Sequence, residues 1–562
     1  MRLAVLVAVS AAAAGIALVI TSASGSTEHT PHHHAADPTI PVGQFLADWH
    51  ARDYAGMYGL ISPQARARVS LARFTALYTR AASVATMRGL HAVGRPRPEG
   101  ALVGVTMSVD THRFGRVTEE MAVPLVHTAH GRRVAWTRAL TFPGLGVGER
   151  LAVQTTVPAT RGRILDRSGA ILAEGPATAR TYPQGSAFAD VTGYVKPPSG
   201  AQVAARVRAG WPAKLPYGQG GLEESLDPIV GGSPRVALQG VAKATGASHV
   251  LAVHPGAAPQ DVTTTLRVPI QDAAATALGG RYGGVVVLSA ATGAIEADAG
   301  LGMDVLQPPG SSFKTITSAA ALTAHKTTLE TVYPYARYAL LNGWKLHNFH
   351  HEDCGGSLIL SFAVSCNSVF GPLAVSVGGP KLVAMADAFG FNHPASVSYP
   401  APESVTPATA TLTSPLDLGV AGIGQGGVEA TPLQMASVAQ TIGSGCMRKP
   451  PYLIRRPLSA REPHAPVQAC AREIASQVTT MMEAVVTEGT GRSAAIPGVT
   501  VAGKTGTSEI GGPNVPTDAW FIAFAPAGAP KVAVAVLIVK GGVGGDVAAP
   551  IAREVLEAAL NQ

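Results

Sequence analysis

The chain has 562 residues, 46% of them hydrophobic and only 14% charged, which excludes a disordered or single-domain protein and calls for about three domains. The net charge of +7 is too small for this length to argue for nucleic-acid binding. Its placement is uneven: residues 1–150 hold 15 Arg, no Lys and nine Asp or Glu. That surplus reads as a solvated arginine-rich surface, or as attraction to an anionic membrane or wall polymer.

Leu3 to Ile20 are 18 apolar or small residues without charge, long enough to span a bilayer. Residues 1–22 are therefore expected to be a transmembrane anchor or an uncleaved signal, although Ser22-Ala23-Ser24 offers small residues for cleavage. One basic residue, Arg2, before the span favours a cytoplasmic N-terminus with the rest of the chain outside. Residues 23–40 read as a polar linker whose run His32-His33-His34 is solvated.

Residues 41–148 read as a small α+β domain. Phe45, Leu46, Trp49, Tyr54, Met57, Tyr58 and Leu60 recur at helical spacing, and Val103–Met107 and Arg133–Trp136 follow as strands. Residues 150–260 are rich in Gly and Pro, and open on Arg161-Gly-Arg-Ile-Leu-Asp-Arg-Ser-Gly169, where local Asp–Arg pairing beside a turn is expected. Residues 261–562 have the pattern of one large α/β domain. Expected there are a helix over Ile270–Leu278, strands at Gly284–Leu288, Gly293–Asp298 and Val532–Val539, and a closing helix from Ala549 to Leu560. Four cysteines suit an exported protein, and the simplest of three pairings joins Cys354 to Cys366 and Cys446 to Cys470; four free thiols is the alternative.

Three motifs in the last segment carry chemistry together. Ser311-Ser-Phe-Lys314 opens an apolar helical run, and Lys314 is the only one of 11 lysines with serine three positions before it. A serine in the first turn of a helix sits among free N–H groups, and a lysine one turn on lies on the same face, where it serves as base if burial keeps it neutral. Ser365-Cys366-Asn367 follows an apolar helix; Ser365 is placed to relay a proton and Asn367 to bind a substrate carbonyl. Lys504-Thr505-Gly506-Thr507 follows the strand-like Val499–Ala502. There, Lys504 and Thr505 suit a substrate carboxylate, and Gly506 allows close approach. The Thr507 N–H facing that of Ser311 makes a two-donor oxyanion hole. Each motif alone has a plainer reading as a cap, a polar turn or an exposed lysine. The order of all three favours acyl transfer.

Gly498-Val-Thr-Val-Ala-Gly503-Lys504-Thr505 also satisfies the phosphate-loop spacing. That motif needs a helix starting at its lysine, and Ser508 to Pro513 is unsuited to one. Nucleotide binding is therefore set aside.

With these motifs the chain resembles the class B penicillin-binding proteins, monofunctional peptidoglycan DD-transpeptidases, over residues 150–562. Arg161–Gly169, Tyr182-Pro183 through Gly193-Tyr194, and Gly221-Leu222-Glu223 look like landmarks of that family's pedestal, a dimerisation-type domain. Gly424-Gln425-Gly426, Thr431–Ala436, Glu488-Gly-Thr-Gly491, Ala519-Trp520-Phe521 and Ala525-Pro526 look like those of its transpeptidase domain. Phe45 to Tyr58 is similar to the first helix of a nuclear-transport-factor-like domain found in the penicillin-binding protein 2a-like subgroup. One departure is Asp518, where many relatives carry histidine.

The resemblance implies a multidomain fold: a transmembrane helix, a small α+β cone-like domain, a β-rich pedestal, and a serine transpeptidase/β-lactamase-like domain of antiparallel sheet with helices. It implies Ser311 as nucleophile, Lys314 as base, and Ser365 and Lys504 as catalytic partners. Asn367, Thr505, Gly506 and Thr507 would hold substrate. Stem peptides of peptidoglycan or their lipid-linked precursor, β-lactams, the membrane and a wall-synthesis glycosyltransferase are the implied partners, with no nucleic acid, metal or cofactor. Alternatives within reach are a β-lactamase or DD-carboxypeptidase-type hydrolase, or a non-catalytic β-lactam-binding scaffold.

Overall fold

The computed structural model describes residues 37–395, 397–457, 462, 465–509 and 516–562. The expected anchor over residues 1–22, and all but the last residues of the linker, lie outside these. Among the described residues no single helix is long and apolar enough to cross a membrane.

The chain divides into two compact units, one of residues 37–152 with 239–251, the other of 153–238 with 252–562. The segment 150–260, expected as a pedestal of its own, is thus shared between them. A hairpin tip, residues 239–251, belongs with the N-terminal unit, where His249 lies 3.3 Å from Glu149.

In the first unit, helices Thr39–Ala51, Tyr54–Leu60, Pro63–Arg68 and Leu71–Ala85 precede a four-stranded antiparallel sheet in chain order, Met87–Glu99, Leu102–Thr111, Arg116–Thr128 and Gly131–Val134. The last strand stops at Val134, short of the expected Trp136. Trp136 instead donates its indole N–H to the Tyr78 hydroxyl at 3.0 Å. Asp53, Ser62 and Ser70 each cap a helix by accepting a backbone N–H three residues on. The sheet and helices close over Trp49, Phe74 and Tyr78, whose rings meet at 4.8–5.1 Å.

The second unit begins with a buried ionic network. Glu223, fully buried, accepts from Arg161 at 2.5 Å and from Arg180 at 2.6 Å, while Asp227 accepts from Arg161 at 2.6 Å and Arg206 at 3.2 Å. The expected local Asp–Arg pair is not formed among the described residues. Asp166 instead accepts the backbone N–H groups of Ser168 and Ala170, closing a turn, and Arg163 reaches across the chain to Asp261 at 2.7 Å. Truncating Glu223 to alanine would leave two guanidinium groups short of a buried counter-charge. The expected loss is about 3–5 kcal/mol, seen as a lowered urea midpoint.

The rest of this unit is built on a five-stranded antiparallel sheet of β1 (Gly283–Ser289), β2 (Ile295–Gly300), β3 (Ala502–Ser508), β4 (Asp518–Ala525) and β5 (Val532–Ile538). The spatial order is β2-β1-β5-β4-β3, which leaves β3 at an edge. Both faces are covered, so β1, β4 and β5 are apolar almost without interruption. Alternation then decides which layer each residue meets. Ala519, Phe521 and Ala523 pack toward helices Val268–Leu278 and Gly544–Leu560, and Trp520, Ile522 and Phe524 pack into the larger core that holds Lys314–Thr323 and Pro432–Gly443.

Asp298 on β2 is buried, and its Oδ1 has no hydrogen-bond partner among the described residues. Burial, and then the nearby carboxylates of Asp304 and Asp190, raise its pKa well above the ordinary value. A raised acid pKa means stability that is intact below the unfolded pKa and lost as pH rises through the folded one. Asp298→Asn is therefore expected to raise the melting temperature at pH 8 by a few degrees and to have little effect near pH 4, read by thermal melts at both pH values.

Candidate active site

Ser311 lies in a 3-10 turn, Gly310–Phe313, that runs directly into the buried helix Lys314–Thr323. Two glycines bring this turn against edge strand β3. Gly310 has φ +52°, and a Cβ there would stand 2.8 Å from the Thr507 carbonyl oxygen. A Cβ on Gly506 would stand 2.6 Å from the Pro309 carbonyl oxygen and 2.8 Å from the Trp520 Cβ. Real Cβ atoms do not approach so closely, so only glycine lets Thr507 lie beside Ser311.

Lys314 is fully buried, and its Nζ donates to the Ser365 carbonyl at 2.7 Å, the Ser365 hydroxyl at 3.2 Å and Asn367 Oδ1 at 2.7 Å. The Ser311 hydroxyl is not among these acceptors, so the expected contact from lysine to serine is replaced by one from Lys314 to the Ser-x-Asn motif. Lys504, also fully buried, donates to the same Ser365 hydroxyl at 2.9 Å and to the Thr505 carbonyl at 3.0 Å. Ser365 thus bridges two lysines. Burial, then repulsion from Lys504, holds the Lys314 amine well below the usual lysine range, and burial pushes Lys504 down to about 7. The Phe370 ring centroid lies 5.6 Å from Lys314 Nζ and that of Phe362 5.4 Å from Lys504 Nζ, apolar walls beside both buried amines.

The Ser365 backbone has φ +63°, a costly conformation for a residue other than glycine, at the break between helices Leu358–Ala363 and Asn367–Val377. A disulfide between Cys366 and Cys354, with Cα atoms 5.8 Å apart, fastens the next residue, so the bend is held from both sides. A second disulfide joins Cys446 and Cys470.

Two groups were missed by sequence reasoning. The His347 carbonyl accepts from Asn367 Nδ2 at 2.8 Å, which turns Oδ1 toward Lys314 and commits one amide hydrogen expected for substrate. The Thr490 hydroxyl meets that of Thr505 at 2.6 Å, and its N–H donates to the Ala363 carbonyl at 3.1 Å, tying β3 to the helix before Ser365. Thr490 falls inside Glu488–Gly491, so the motif was visible while its role was not. Lys504 and Thr505 lie in the interior of β3, two residues further along than the strand-like Val499–Ala502 suggested, and no helix starts at the lysine as a phosphate loop requires.

Fold and site define a protein of the Ser-x-x-Lys class, in which buried lysines flank a serine at the edge of an antiparallel sheet. Residues 283–557 match the penicillin binding protein transpeptidase domain family. Peptidoglycan D,D-transpeptidase PbpA of Mycolicibacterium smegmatis is 40% identical over 275 residues, 45% of this chain and 55% of that protein. The chain thus spans about half the length of the curated relatives it matches. Among solved structures, the D,D-transpeptidase domain of a peptidoglycan glycosyltransferase from Eggerthella lenta is 31% identical with a TM-score of 0.59, covering 72% of this chain and 98% of that one. The penicillin G acyl-enzyme complex of penicillin-binding protein A from M. tuberculosis is 30% identical with a TM-score of 0.57, covering 71% and 99%. The chain belongs to the penicillin-binding protein transpeptidase family.

Proposed function

We propose that this protein is a class B peptidoglycan D,D-transpeptidase, acylated at Ser311 by D-Ala-D-Ala-ended stem peptides and by β-lactams. The observation that carries this is the convergence of Lys314 and Lys504 on Ser365, within 2.7–3.2 Å, beside the turn that holds Ser311. A neutral Lys314 takes the Ser311 proton as the hydroxyl oxygen bonds to the penultimate D-Ala carbonyl carbon. The Ser311 and Thr507 N–H groups receive the developing oxyanion. The proton passes through Ser365 to the departing D-Ala nitrogen as the peptide bond breaks. An amine of a second stem peptide then attacks the ester, restoring the Ser311 hydroxyl, with Lys504, Thr505, Gly506 and Asn367 holding the donor strand.

The same reading places residues 1–22 in the membrane with the remaining chain outside, near lipid-linked precursor and a wall-synthesis glycosyltransferase. It also assigns residues 41–148 to a nuclear-transport-factor-like domain, supported by helices preceding a four-stranded antiparallel sheet. The test is to give the full chain a D-Ala-D-Ala pentapeptide and follow D-Ala release with and without an added D-amino acid acceptor. Transpeptidation predicts a cross-linked or exchanged product that grows with acceptor concentration. Release of free tetrapeptide alone, at any acceptor level, contradicts it and marks a hydrolase.

A further inference from the structure

A cavity of about 290 Å³ opens in the second unit between the start of helix Pro432–Gly443 and the segments 390–395 and 448–451. Its wall is mostly carbon, from Pro394, Pro402, Leu433 and Pro450. Among the described residues no aspartate or glutamate lines it.

Arg448 stands in this wall. Its Nε donates to the Ala388 carbonyl at 3.1 Å, which fixes the plane of the guanidinium. Its Nη1 and Nη2 make no hydrogen bond or ion pair among the described residues, and Nη1 is near Gly390, 3.3 Å from where a Cβ would be. Burial lowers the Arg448 pKa, and no carboxylate among the described residues offsets it. A partly buried cation without a counter-charge is an unpaid desolvation cost, met when an anion enters.

Two hydroxyls line the same space. Ser404 Oγ accepts the Thr431 N–H at 3.1 Å, which leaves its own hydrogen to donate. Ser437, one turn along the helix from Leu433 and Gln434, has no internal partner for its hydroxyl among the described residues. An anchored guanidinium fork, two hydroxyls and an apolar wall are complementary to a planar or tetrahedral oxyanion carrying a compact apolar group.

We infer that this cavity binds a small carboxylate or phosphate monoester with an apolar body, its oxygens on Arg448 and its body against Pro394, Pro402 and Leu433. The catalytic residues take no part, so the inference stands apart from the chemistry at Ser311.

The full chain is titrated with benzoate and with phenyl phosphate by saturation-transfer NMR, before and after acylation by benzylpenicillin and removal of the unbound drug, with neutral benzamide as control. Both anions are expected to bind equally well before and after penicillin, and benzamide at least about tenfold more weakly. Arg448→Gln is expected to weaken the anions at least about tenfold, and Arg448→Lys, which keeps charge without the fork, to fall between. Ser437→Leu, which fills the space and leaves Arg448 in place, removes binding while thermal melts and penicillin labelling show an intact fold. Undiminished binding to Arg448→Gln or Ser437→Leu, benzamide binding as tightly as benzoate, or no binding of either anion at millimolar concentration overturns the proposal.

Discussion

Ser311→Ala is expected to abolish covalent labelling by fluorescent penicillin at every time and drug concentration, with melting temperature and far-ultraviolet circular dichroism unchanged. The residue is half-buried in a 3-10 turn whose shape is set by Gly310, Gly506 and the helix that follows, none of which needs the hydroxyl. No intramolecular hydrogen bond of the Ser311 side chain is among those of the described residues, so its removal orphans no partner. Covalent catalysis without its nucleophile has no second route here, because Ser312 is fully buried and its hydroxyl donates to the Pro309 carbonyl at 2.6 Å. Stoichiometric labelling of the alanine variant would overturn the assignment.

The next largest effect is at Lys314. Replacement by methionine, close in length and without an amine, is expected to lower the acylation rate constant by about 10²–10⁴-fold, the range for loss of a positioned general base. Lys314→Arg is expected to do no better, since a guanidinium does not give up its proton in this range. The pH profile separates a base from a positioning cation. Because burial and Lys504 hold the Lys314 pKa well below the ordinary value, wild-type acylation rises with pH and levels off at a pH well below that of free lysine. Lys504, pushed down to about 7 by burial, adds its repulsion as pH falls. A flat profile for wild type, or one unchanged in Lys314→Met, contradicts the assignment. The same shifts bear on stability: a lysine whose folded pKa is lowered contributes fully above its unfolded value, and that contribution is lost as pH falls toward the folded pKa. At neutral pH both amines therefore weaken the fold they equip, as residues serving chemistry often do.

How much of this was legible depended on the distance over which each feature is encoded. Ser311 and Lys314 are one helical turn apart, so their placement at the start of one helix was readable from spacing. Strands such as β5 were readable because an apolar run at a sheet centre has few other destinations. Contacts between side chains and distant backbone were not. The His347 carbonyl that orients Asn367 is 20 residues away, and Thr490 meets Ala363 across 127. Neither carries a pattern in sequence, since any residue supplies a carbonyl.

The arginine in Arg161-Gly-Arg163 was misjudged for a related reason. Local proximity suggested Asp166, whereas the buried partners, Glu223 and Asp227, lie more than 60 residues on, in two successive short helices. The pedestal boundary failed on topology: the hairpin strands Arg235–Ala242 and Ser248–His254 look ordinary in sequence, and only long-range packing places residues 239–251 with the N-terminal unit. Lys504 lies inside its strand, whose start was set three residues early because Val499 and Val501 have strong β propensity and sit just outside the ladder.

The account's central claim, that Ser311 is an acyl carrier served by Lys314, is tested most directly by time-resolved intact-mass analysis of the full chain with benzylpenicillin, followed by peptide mapping. The account predicts one drug equivalent per chain, on the peptide that contains Ser311, persisting for hours. An adduct on any other residue, or none, contradicts the nucleophile. An adduct on Ser311 that disappears within minutes contradicts the transpeptidase reading and makes the protein a β-lactamase.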